Sequence, residues 1–103
     1  MELLHIGIPS SKRGENDTYI ADLKLAVSNP DEHPYHWEYI SFDEDSPVPE
    51  IMKTRYHISY EVPDVASELA KCQEVVLPVH DIGPEILAFG LMDGVLVELI
   101  HTK

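Results

Sequence analysis

Four short stretches each place one ionisable side chain inside a run of strand-forming residues. They are LLHIGIP with His5, HWEYI with Glu38, RYHISYEV with His57 and VLVELI with Glu98. Side chains alternate between the two faces of a strand. In each stretch one face is apolar, for example Val95, Val97 and Leu99 in the last, and the four polar residues can all lie on the opposite face. A glutamate between Leu96 and Ile100 is then partly buried, and burying a lone carboxylate costs several kcal/mol unless its charge is met. A divalent cation meets it. Imidazole together with carboxylate suits zinc, nickel, cobalt, manganese or ferrous iron. Two histidines and two glutamates would fill four positions of an octahedron and leave two for water or a bidentate substrate. On the residues alone a plainer reading stands beside this one. A strand histidine is commonly hydrogen-bonded in the core or at the surface, and a strand glutamate commonly faces water.

The elements that must position these residues follow from composition and punctuation. Leu3–Ile8 reads as a buried strand stopped by Pro9, and the polar Ser10–Thr18 as a loop. Leu23–Ser28 alternates like a strand, and Tyr35–Phe42 is rich in aromatic and β-branched residues. Asp43–Glu50 combines acids with two prolines and reads as a linker. Arg55–Val62 opens a second half. Asp64 is placed to cap a helix with Val65, Leu69 and Cys72 on one face. Glu74–Val79 reads as a short strand that Pro78 marks as an edge or a strand end. Glu85–Met92, an Asp93-Gly94 turn and a closing strand over Val95–His101 complete the chain.

A weak internal repeat is visible. LHIGI matches YHISY, and HWEYI matches LVELI, so each half opens on a histidine strand and closes on a glutamate strand. The expectation is one α+β domain over residues 1–103, with halves at 1–43 and 55–103 and a linker over 44–54. The first half is reduced, its helix and one strand missing or replaced by Ser10–Asp22.

Composition narrows the function classes. With 103 residues the chain is long enough for one domain. Its net charge of −12 argues against nucleic acid and anionic membrane surfaces, since phosphate neutralisation needs clustered cations. No apolar run approaches the roughly 20 residues of a membrane span. The start, MELLHIGIPSS, is not expected to be a signal peptide. The single cysteine, Cys72, suits a reducing cytoplasm.

The stretches YHISYEVPDVASELA and GVLVELI, with LHIGIP at the start, resemble the vicinal oxygen chelate superfamily of glyoxalase I, methylmalonyl-CoA epimerase, bleomycin-resistance proteins and extradiol dioxygenases. The resemblance implies two βαβββ-like modules curling into a mixed sheet around a cleft, the first module reduced. It implies His5, Glu38, His57 and Glu98 as ligands of one divalent metal. It also implies a metal-dependent lyase or isomerase acting on a small molecule with vicinal oxygens through enolate or enediolate stabilisation, with Glu98 or Glu38 as the base. Extradiol dioxygenases use two histidines and one carboxylate, which four protein ligands fit less well. A homodimer is expected. A metal-free sequestration protein of the bleomycin-resistance type is the alternative.

Other residues are weaker candidates. His33 and His36 in HPYH suggest a second metal site, or His36 as a pocket residue; Tyr35 and Tyr60 suit either a pocket wall or a core. Arg13 and Arg55 are the only arginines, and they form no pair obviously placed for glutathione.

Overall fold

Strands form where β-branched and aromatic residues cluster, and turns form at the glycines, prolines and acids between them. In the computed structural model, which describes residues 1–103, the strands are β1 (Glu2–Pro9), β2 (Thr18–Ile20), β3 (Leu25–Val27), β4 (Trp37–Phe42), β5 (His57–Glu61), β6 (Glu74–Asp81), β7 (Glu85–Met92) and β8 (Val95–Thr102). Two five-residue helices accompany them, α1 (Glu50–Thr54) and α2 (Val65–Leu69). All eight strands join one mixed sheet, curled into a half-barrel, in the order β2-β3-β4-β1-β5-β8-β7-β6. No helix is long and apolar enough to cross a membrane.

That order reads alike from both edges. β1 and β5 lie antiparallel at the centre. Each has a parallel neighbour on its outer side, β4 beside β1 and β8 beside β5. Antiparallel strands then extend outward in both directions. The four stretches that carry His5, Glu38, His57 and Glu98 are therefore the four central strands, the part of a sheet held on both sides.

The larger core lies inside the curl. It includes Leu25, Ile40, Leu87, Phe89, Leu96 and Ile100, all on the face that carries the four polar residues. A smaller core lies outside, where Val65 and Leu69 of α2 pack on Ala88 and Leu99. A five-residue helix is too short to persist alone. It stands here because Asp64 accepts the Ser67 N–H at 3.1 Å and because its apolar face is buried.

Several expectations need correction. A strand is present where the first half was expected to have lost one: Thr18–Ile20 pairs with β3. Only the helix is absent there. Leu23 ends a short 3₁₀ turn rather than starting a strand. The segment after Asp43 is more than a linker, because α1 carries the buried Met52 into the inner core alongside Val48. Arg55 and Tyr56 fall outside β5. No helix covers the outer face of the first half; His33 stacks on Trp37 there, and Trp37 and Tyr39 remain 36% and 37% exposed.

Candidate metal centre

Strand register brings the four side chains together. His5 lies opposite Ser59, which lies opposite Glu98. His57 lies opposite Gly7, which lies opposite Glu38. Each histidine thus faces the small residue two positions beyond the other histidine. The smallness is required at one of them. A Cβ added at Gly7 would come 1.9 Å from Cε1 of His57, so the imidazole occupies the space that a side chain would take. Phe89, opposite Glu98 on β7, closes the other side of the His57 ring in an edge contact at 4.9 Å.

The donor atoms converge. His5 Nε2 lies 3.3 Å from Oε1 of Glu38 and 3.3 Å from Oε1 of Glu98, and His57 Nε2 lies 3.2 Å from the same Glu98 oxygen. One donor atom from each of the four residues falls within 4.8 Å of every other. Three of these residues are buried, and Glu38 is nearly so. Yet His5 Nε2, His57 Nε2 and Glu98 Oε1 have no geometrically sound hydrogen bond. The atoms are close, yet they meet no hydrogen-bond geometry with one another. Buried polar atoms are paired in all but a few places in folded proteins, and each exception calls for a reason. An ion at that centre supplies one. Ligands bound at about 2.1 Å sit roughly 3.0–4.2 Å from one another in tetrahedral or octahedral arrangements, which matches the three short contacts. The group could hold a metal ion.

The local electrostatics point the same way. Burial disfavours a charged His5, but its contacts with Glu38 and Glu98 outweigh this and push its pKa up to about 10. Burial also opposes charge on Glu98, yet the two histidines bring its pKa down to about 2. Glu38 is pushed up, by burial first and also by the charge of Glu98. Two carboxylates in one buried group thus demand a positive charge, which a proton on His5 supplies in the absence of an ion.

A cleft of about 280 Å³ opens in front of the four residues. Its walls are largely apolar, with Ile20, Leu25, Phe42 and Leu87 among them, and Glu85 lies near its mouth.

The remaining candidates separate from this centre. His33 stacks on Trp37 at 4.9 Å, and exposed His36 lies 3.8 Å from Asp31; the two do not join a metal-ligating group. His36 takes a left-handed backbone (φ 56°), so β4 begins only at Trp37 and His36 does not line the cleft with Glu38. Neither Tyr35 nor Tyr60 lines this cleft: Tyr35 stands exposed beside Trp37, and Tyr60 takes the core alternative, packing on the outer core. His80 and His101 are half-exposed, each with Nδ1 against a backbone carbonyl. Cys72 is half-buried at the end of the α2 region, its thiol pushed up by burial. Three residues of the site escape a reading of the sequence. Gly7 had a signal, since a glycine inside an apolar strand marks a close approach. Phe89 and Glu85 had none, because their positions depend on the register of β7 against β8.

No family model, curated protein or solved structure matches this chain.

Proposed function

We propose that the chain is a metal-dependent lyase or isomerase of the vicinal oxygen chelate type, with two βαβββ-like modules, the first reduced by the loss of its helix. His5, Glu38, His57 and Glu98 are the ligands. One observation carries the reading: three buried donor atoms of this group have no hydrogen-bond partner, and the four residues lie together in the lining of one cleft, with a ligand atom of each within 4.8 Å of the others. The mirrored strand order, which gives each half one histidine and one glutamate at the centre, supports it. Zinc, nickel, cobalt, manganese and ferrous iron all accept this donor set.

A divalent ion held there would polarise a carbonyl oxygen and stabilise the negative charge left when the neighbouring C–H gives up its proton. The chain's own residues do the rest. His5 and His57 hold the centre from β1 and β5, with the His57 ring wedged between Gly7 and Phe89. Glu38 is the more accessible of the two carboxylates and takes the proton from a substrate carbon in the cleft. Glu98, held by both histidines, keeps its charge and anchors the group. The apolar walls exclude water from the carbanion-like species. The substrate is a small molecule with adjacent oxygens. A homodimer belongs to the same reading, supported by the uncovered outer aromatic residues of the first half.

The test is elemental analysis of protein purified without a histidine tag, alongside His57→Ala and Glu98→Ala variants. One transition metal per chain, absent from both variants, is expected. Metal-loaded protein should also exchange the carbon-bound protons of dihydroxyacetone with deuterated water. A chain that holds no metal, and is not stabilised by added nickel, zinc or manganese, overturns the reading and leaves metal-free sequestration.

A further inference from the structure

The cleft carries a charge pattern that the four central residues do not explain. Glu85 opens β7 opposite Thr102, on the same face as Leu87 and Phe89, and lines the cleft. Asp31 reaches the cleft from the 3₁₀ turn Pro30–Glu32. The adjoining opening adds Asp22 and Glu32. No lysine or arginine lines either space. Of the seven in the chain, five are committed elsewhere. Arg13 binds Ser41 and Asp43, Lys24 binds Asp45, and Lys53 donates to the Ser46 carbonyl. Lys71 pairs with Glu68, and Lys103 with Asp81.

Glu85 has no such partner. Its carboxyl is held above the usual range, by burial first and then by the negative charges of Glu98 and Glu38, an environment that a cation in the cleft relieves. The feature is more than a solvated acidic patch. His5 Nε2 and Glu98 Oε1 are buried, unpartnered and aimed into the same space. An ion at the centre would not attract an anionic tail to the mouth, because the charges of Glu38 and Glu98 already balance a divalent cation. With the ion in place of the His5 proton, a carboxylate or phosphate beside Glu85 would meet the like charge of Glu85 itself.

We infer that the cleft selects its ligand by charge. Glu85 receives an ammonium or amidinium group, the ligand's apolar body lies along Phe42 and Leu87, and its adjacent oxygens face the four-residue centre. Acids, phosphates and conjugates with anionic carriers are rejected. The inference rests on the metal reading for the placement of the oxygens, and it adds Glu85 as the residue that sets specificity.

Three probes with one chelating head test it: benzohydroxamate, 4-(aminomethyl)benzohydroxamate and 4-carboxybenzohydroxamate. Each is titrated into cobalt-loaded protein and into Glu85→Gln, with the cobalt absorption as readout. The amine is expected to bind at least about tenfold more tightly than the acid. The preference for the amine over the acid should collapse in Glu85→Gln, with the affinities of the two probes drawing together. If benzohydroxamate binds but the acid equals or exceeds the amine, or the preference survives in Glu85→Gln, the charge inference is overturned and the metal reading stands. If the protein takes up no cobalt, the metal reading falls and the inference falls with it.

Discussion

The two halves of the molecule do the same work at the centre with different amounts of structure around it. The second half has strands of eight residues at β6, β7 and β8, and its outer face is covered by α2. The first half has β2 and β3 of three residues each, no covering helix, and an outer face of half-exposed Trp37 and Tyr39. Its loop is tied down by polar contacts instead. Arg13 donates to Ser41 Oγ at 2.7 Å and to Asp43 at 2.9 Å, and the Tyr19 hydroxyl also donates to Asp43. Even so, each half delivers one histidine and one glutamate to the same buried group. The comparison shows where the constraint lies. The four central strands are held on both sides by backbone ladders, so their side chains are positioned whether or not a helix lies behind them. The periphery is free to shrink.

The sharpest way to break this equivalence is to remove the ligands in turn. His5→Ala, Glu38→Ala, His57→Ala and Glu98→Ala should each cost metal affinity by more than the roughly 10–100-fold typical of a change beyond the ligands themselves. Isothermal titration with zinc measures it. If Glu38→Ala binds as the native protein does, the first half supplies one ligand and the symmetry of the centre is lost.

Next in size is the covering helix. Leu69→Ala should cost about 2–4 kcal/mol in urea unfolding, because its side chain is buried in the outer core. Trp37→Ser, on the outer face that no helix covers in the other half, should cost less, about 1 kcal/mol, the loss of its stacking on His33. Comparable losses in both would mean that the outer face of the first half is covered in solution. Sedimentation of native and Trp37→Ser protein would then show whether a second copy covers it.

Gly7 and Ser59 occupy matching positions, two residues after each histidine, and should respond oppositely. Gly7→Ala drives a methyl into the His57 ring; it should cost about 1–3 kcal/mol and displace a ligand. Ser59→Ala removes a buried hydroxyl that has no partner and should be neutral or slightly stabilising. Thermal denaturation of both variants, with and without zinc, distinguishes the two.

The smallest effect is on pH dependence. In metal-free protein His5, raised from 6.5 to about 10, contributes stability that is full below pH 6.5 and is lost as pH rises through about 10. Glu98, lowered from 4.5 to about 2, contributes stability that is full above pH 4.5 and is lost as pH falls through about 2. Their combined contribution is therefore greatest between pH 4.5 and 6.5. With saturating zinc the alkaline decline should disappear, since the ion takes the place of the His5 proton and binds better as pH rises. Melting temperatures from pH 5 to 9, with and without zinc, check this. A decline that zinc leaves unchanged would place the proton elsewhere than on the ligand group.

The residues of the centre were legible in the chain because their signal is local. A histidine or glutamate interrupting an apolar strand is visible from alternation alone, and the repeat of LHIGI in YHISY, and of HWEYI in LVELI, pairs them. The Asp64 cap and the Asp93-Gly94 turn were legible for the same reason, since turn and cap chemistry depends on a few adjacent residues. Short elements were not. Thr18–Ile20 and Glu50–Thr54 carry too few residues to show a period, and they exist because β3 and the inner core accept them.

Sequence by itself determined which side chains must share a face and which of them would be costly to bury. Only tertiary structure decided that the four meet. Their encounter depends on β1 and β5 pairing antiparallel in a register that sets His57 over Gly7, and on β4 and β8 pairing parallel to them. A slip of one residue on any of these strands would turn a ligand to the outer face. Tertiary structure also left the cleft without lysine or arginine and set Glu85 in its lining, because five of the seven long cationic side chains found partners elsewhere in the fold.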